Sequence, residues 1–121
     1  MATLPRSRTE TLKLFNGDSL TLNLKAVDDT NTAINITGFT IVFRIGTLND
    51  EDIISYAIGT GITITGGPAG EFTVQIAAAN TAALIPGQQY YHQTRITDLS
   101  AVANVVTVLS GLVTVSNSLF I

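Results

Sequence analysis

The chain contains no cysteine and no tryptophan, a single histidine, and few charges: 12% of its residues are Asp, Glu, Lys or Arg. Without cysteine there can be no disulfide framework, thiolate metal site or thiol nucleophile, so stability has to come from core packing and from assembly. The charged fraction is about half of what soluble domains usually carry. Combined with a 45% hydrophobic content, it argues against disorder and suits a surface that spends its life against neighbours. The net charge of −3 is unevenly spread: Arg6 and Arg8 make the first eight residues +2 and leave −5 on residues 9–121. An acidic body is a poor match for nucleic acid, whose binding is dominated by phosphate neutralisation.

What is present points to one domain, since 121 residues suffice for a single core and little besides. Met1–Arg8 has no apolar core of the kind a signal peptide needs. Leu99–Ile121 is 23 residues without a charge and has to be weighed as a membrane span. Ser100, Asn104, Thr107, Ser110, Gly111 and Thr114 interrupt it too often for a lipid-facing helix, so it is expected to be strand, bend and strand, with no membrane partner.

Period-two alternation dominates the rest. Thr9–Phe15 is a plausible first strand, closed by the turn signal Asn16-Gly17-Asp18. Leu20–Asp28 alternates cleanly, with Leu20, Leu22, Leu24 and Ala26 on one side. Phe39–Ile45, Ile53–Ile58 and Glu71–Ile76 repeat the pattern, the second after the acidic loop Asn49–Asp52. Phe43, Val74 and their same-parity neighbours should face the core. Ala77–Leu84 is the one credible helix, too short to stand alone, and serves as a crossover ended by Pro86-Gly87. From Gln89 to Val115 two long strands are expected, with a glycine break at Gly111 starting a third. About eight short strands punctuated by Gly and Asn/Asp turns predict an all-β immunoglobulin-like sandwich of two antiparallel sheets with one short crossover helix. A small barrel is the alternative. The domain would span residues 9–116, between an extended arm (1–8) and an apolar tail (117–121).

The order of these signals carries a resemblance. Gly17–Leu22 (GDSLTL) is followed by Ile36–Phe43 (ITGFTIVF), Gly70–Val74 (GEFTV), Ala79–Leu84 (ANTAAL), Pro86–Asp98 (PGQQYYHQTRITD) and Val108–Val115 (VLSGLVTV). Over about residues 9–116 this resembles the immunoglobulin-like domain of tailed-phage virion proteins, best known as the N-terminal domain of baseplate upper proteins. The resemblance implies a non-enzymatic protein of the virion, made in the host cytoplasm, that docks onto other virion subunits. In baseplate proteins the domain continues into an arm or fibre, whereas this chain ends about five residues after its last expected strand. A capsid decoration or cement subunit is therefore expected ahead of a tail or baseplate attachment module. By the same analogy a homo-oligomer, and in particular a trimer, is expected.

Residues that could carry chemistry have simpler readings. His92 shares its strand face with Tyr90, Thr94 and Ile96, the side assigned to the core. Asp98 lies six residues further along that strand, about 20 Å away at strand rise, so no catalytic triad can be built locally. Asp50, Glu51 and Asp52, or Asp28 and Asp29, could offer oxygens to Ca²⁺, but their spacing fits no twelve-residue calcium loop. Gly59–Gly70 lacks the lysine and helix of a phosphate cradle. The sequon Asn35-Ile36-Thr37 fits a turn leading into a strand. No catalytic residue, metal or cofactor is expected.

The candidate contact residues lie elsewhere. Tyr91, Gln93 and Arg95 face outward in the register that buries His92. Tyr56, Tyr90 and Tyr91 together could form a sugar-stacking platform, which makes a carbohydrate- or host-surface-binding module the rival reading. At the ends, Arg6 and Arg8 could reach an acidic neighbour. Leu119, Phe120 and Ile121 would each gain roughly 1.5–3 kcal/mol from burial, on their own domain or in a partner.

Overall fold

The computed structural model describes residues 8–28, 30–47, 52–98 and 104–116. Among them are nine strands: β1 (Arg8–Thr9), β2 (Leu12–Phe15), β3 (Leu20–Lys25), β4 (Thr40–Gly46), β5 (Asp52–Ile58), β6 (Gly61–Gly66), β7 (Glu71–Ile76), β8 (Tyr90–Asp98) and β9 (Asn104–Ser116). A single-turn helix, α1 (Ala78–Thr81), and a 3₁₀ turn at Gly67–Ala69 complete the described elements. The fold is all-β.

Hydrogen bonding runs through all nine strands as one sheet, in the order β1-β9-β8-β4-β5-β6-β7-β3, with β2 also on β9. The expected division into two separate sheets is thus corrected. The link that joins the halves is narrow. Between β5 and β6 only Ala57 pairs with Gly61 and Ile58 with Ile62, across the turn at Gly59 and Thr60. Backbone groups make this pairing whatever the side chains are, which is why residue patterning does not announce it. The sheet curls around one core drawn from both sides of the seam, including Phe43, Ile45, Tyr56, Ile62, Phe72, Val74, Ile96 and Val113.

Within strands the expected faces are observed. Phe43 and Val74 are fully enclosed, while Arg44 and Gln75 stand in water. The cleanest sequence alternation, β3, is the least enclosed: Leu20, Leu22 and Leu24 are only half-buried, because β3 is the last strand of the order and has a neighbour, β7, on one side only. The helix adds outside ties to its own bonds, Thr81 N to Ala77 O at 3.1 Å and Ala82 N to Ala78 O at 3.0 Å. Buried Asn16 directs its Nδ2 at the carbonyls of Thr81, Ala82 and Leu84, at 3.3, 3.2 and 2.7 Å. Thr81 Oγ1 donates to the carbonyl of Asp18 at 2.7 Å. The Asn16 amide thus reaches carbonyls at the end of a one-turn helix, where intrahelical donors run out.

Two other expectations change. The first strand is split at Glu10–Thr11 into β1 and β2, both parallel to β9. Gly111 does not end a strand, since β9 runs unbroken for 13 residues. Its φ of 151° instead bends the backbone where the β1–β2 kink approaches. A Cβ at Gly111 would lie 2.2 Å from the Glu10 carbonyl oxygen, so only glycine leaves room for that oxygen.

Candidate interaction surface

The carbonyl lodged beside Gly111 is also the partner of the only histidine. His92 is 0% exposed, lies opposite both Ile45 and Gly111, and donates Nε2–H to Glu10 O at 2.6 Å. A carbonyl can only accept, so the proton sits on Nε2 and Nδ1 is bare; no described residue bonds Nδ1. Burial lowers the imidazole's affinity for a second proton, opposed by the Glu10 carbonyl and carboxylate, and the net shift is below the ordinary value of 6.5. The ring packs against Phe43 at a centroid distance of 6.2 Å. Its geometry fastens the kink between the N-terminal strands to β8.

The remaining candidates sort in the same way. Asp28 Oδ1 accepts from Thr30 N and Oγ1 and from Thr32 N, at 2.8, 2.6 and 3.0 Å. Its carboxylate thus closes a turn. No cluster of three or more metal-binding side chains occurs among the described residues, and Asp29, Asp50 and Glu51 lie outside them. Asn35 Oδ1 accepts from Thr37 N at 3.0 Å, a turn bond as expected of that tripeptide. No helix among the described residues is long and apolar enough to cross a membrane. The three tyrosines do not share a platform. Tyr56 and Tyr90 are buried; the Tyr56 hydroxyl donates to Asn80 Oδ1 at 2.6 Å, and the Tyr90 hydroxyl accepts from Ile85 N at 2.9 Å. Only Tyr91 faces out, half-buried.

Tyr91, Gln93 and Arg95 do come together, on the outward face of β8, where Gln93 and Arg95 are exposed. The ladder shows what surrounds them. Tyr91 lies opposite Leu112, Arg95 opposite Thr107 and Thr97 opposite Val105 on β9. On the other side Arg95 lies opposite Val42 and Gln93 opposite Arg44. Lys13 and Phe15 continue the face on β2, and Ile53 on β5, each being outward by alternation with buried Leu14 and Ile54.

Four of the six exposed large apolar side chains among the described residues lie on this surface: Phe15 is 56% exposed, Val105 54%, Leu112 37% and Ile53 37%; the other two, Ile58 at the end of β5 and Ile85 after α1, are 44% and 60% exposed. The outward positions of β3, β6 and β7 are Thr21, Asn23, Lys25, Thr63, Thr65, Glu71, Thr73 and Gln75, without a single apolar residue. Phe15 also lies opposite Ser116, the last described residue of β9.

Arg8 opens β1, opposite Leu109; Arg6, Leu119, Phe120 and Ile121 lie outside the described residues. Sequence reading missed Phe15, Ile53, Val105 and Leu112. The signal that hid the last two is a register shift. β9 sets both Val108 and Leu109 inward where the ladder slips between Thr94 and Arg95. Residues of opposite parity, Val105 and Leu112, thereby come to the same face. Searches against protein-family models and against curated proteins return no match to this chain.

Proposed function

We propose that this protein is a structural subunit of a tailed-phage virion that docks onto other virion proteins through the outer face of β2, β9, β8, β4 and β5. The observation that carries the reading is the contrast of outer faces: Leu112, Val105, Phe15 and Ile53 exposed beside half-buried Tyr91 on one, and only polar or charged outward residues on β3, β6 and β7 on the other. The strand order supports it. On this reading β9-β8-β4-β5 and β3-β7-β6 would correspond to the two layers of an immunoglobulin-like variable domain, within a chain whose strands hydrogen-bond as one sheet. The Gly17–Leu22 and Pro86–Asp98 segments that resemble phage virion domains run from the β2–β3 turn into β3 and from the turn before β8 through the whole of β8.

Antibody labelling of purified phage particles tests the assignment. Label on the capsid is the expected result, and label on the tail would make the protein an attachment module. Absence of the protein from particles refutes the reading, as would glycan-array binding that is lost on Tyr91→Ala.

A further inference from the structure

The sheet ends differently on its two sides. Beside β9 the margin is formed by β1 and β2, which are interrupted at the Glu10–Thr11 kink. The opposite margin is β3, which pairs with β7 without a bulge from Leu20 opposite Ile76 to Lys25 opposite Glu71. Ala26 extends that ladder by donating its N–H to Gly70 O at 2.8 Å. Backbone groups alternate sides along a strand, so Leu20, Leu22 and Leu24 turn theirs to β7, and exposed Thr21, Asn23 and Lys25 turn theirs to the open margin. The chain beyond β3 folds back on the β7 side, because its bonds from Asp28 N to Thr32 O and from Ile34 N to Ala26 O again use even-numbered residues of the strand's extension. No described residue hydrogen-bonds the backbone of Thr21, Asn23 or Lys25 from the open side. Such a row of donors and acceptors is a template for another strand. The inner leucines of β3 are only half-buried, so an added strand would also complete their burial.

We infer that β3 pairs antiparallel with β3 of a second copy, about a two-fold axis at Asn23. In that register Asn23 lies opposite its own counterpart, Thr21 opposite Lys25, Leu22 opposite Leu24 and Leu20 opposite Ala26 of the second copy. The margin residues then meet as hydrogen-bonded pairs, about six bonds in all, and leucine meets leucine at the close positions between them, about 4.5 Å apart at Cα. A slip of one residue would oppose leucines to Thr21 and Asn23 and leave the margin groups without partners. The one charge in the strand, Lys25, lies opposite Thr21, and the two lysines are about 14 Å apart along the pair, beyond the screening length of about 8 Å at physiological salt. Each lysine also has Glu71 across from it on β7. The new ladder stops at the strand ends, where the Asp18 carbonyl accepts from Thr81 Oγ1 and the Asp28 carboxylate closes its own turn. Each copy has one such margin, so the pair is closed. It goes beyond the docking reading and does not rest on it, since β3 lies at the far end of the strand order from β9. It also puts a two-fold pair in place of the trimer that the resemblance implies.

Oxidative cross-linking tests the register cleanly, because the chain has no cysteine of its own. Asn23→Cys sets two thiols across the axis, within the Cα separation of about 4.4–6.8 Å that a disulfide spans. Thr21→Cys sets them about 14 Å apart. With both variants folded by circular dichroism, the first should give a disulfide-linked dimer and the second none. The unsubstituted chain should be a dimer by sedimentation equilibrium. As its concentration rises, amide exchange at Thr21, Asn23 and Lys25 should slow about tenfold or more, with Leu20, Leu22 and Leu24 unchanged. Asn23→Lys sets like charges directly opposite and should leave a folded monomer. A monomer at every concentration, a dimer that survives Asn23→Lys, or cross-linking through Thr21→Cys as readily as through Asn23→Cys overturns the inference. Margin amides that slow only when another protein is added show that a different chain takes the edge, and overturn self-pairing as well.

Discussion

Gly111→Ala is the most revealing single change. It acts through two costs at one point. A φ of 151° lies where side chains are strained by about 1–3 kcal/mol. The new methyl would also sit 2.2 Å from Glu10 O, inside van der Waals contact with backbone that cannot rotate away. Moving that carbonyl breaks its 2.6 Å bond to His92 and leaves a buried N–H unsatisfied, at about 1–3 kcal/mol. Relaxation of one relieves part of the other, so the sum should be about 2–5 kcal/mol. Urea titration is the assay: the midpoint should fall with little change in slope, and hydrogen exchange should speed up first in Thr9–Phe15. His92→Phe removes the same bond from the other side. The two changes should therefore be clearly less than additive in a double-mutant cycle. Additive effects, or a Gly111→Ala cost below about 0.5 kcal/mol, would show that the kink is not held at this point.

Phe43→Ala should cost about 3–5 kcal/mol by denaturant titration, since the ring is fully enclosed and its loss leaves a cavity. Asn16→Ala removes the amide that reaches the Thr81, Ala82 and Leu84 carbonyls and should cost about 1–3 kcal/mol, with exchange rising in Ala78–Leu84. His92 should make stability pH-dependent. Its folded value lies below 6.5, so its contribution is complete above pH 6.5 and is lost as pH falls toward the lower folded value. His92→Phe should flatten the stability–pH curve in that window, and an unchanged slope would contradict the assignment. Removing Leu119–Ile121 should leave the unfolding transition in place and weaken association with partner subunits, as measured by copurification.

Strand faces were legible in the sequence because each depends on one strand's own alternation. Phe43, Val74 and His92 are inward and Tyr91 outward for that reason. Glu71–Ile76 even has its expected ends. What depends on a second strand was not legible. The β5–β6 seam is made by backbone alone, so a sandwich of two sheets and one curled sheet look the same in residue order. Half-burial of Leu22 comes from β3 lying at the end of the order, which its own alternation cannot reveal. The contact face was a third legible: Tyr91, Gln93 and Arg95 follow from His92, but Leu112 and Val105 need the slip at Val108–Leu109. Phe15 needs the knowledge that β2 lies beside β9.

The parallel pairing of β1 and β2 with β9 has a mechanical consequence. Arg8 lies beside Leu109 at one end of this ladder and Phe15 beside Ser116 at the other. Tension entering at residue 8 and leaving at residue 116 therefore pulls the strands lengthwise past each other. All the rungs are loaded together, and none can be peeled open ahead of the rest. Pulled along that axis in a single-molecule stretching experiment, the domain should resist as a latch in shear. Pulled across β3 and β7, an antiparallel pair gripped at the adjacent ends Leu20 and Ile76, it should open rung by rung at lower force.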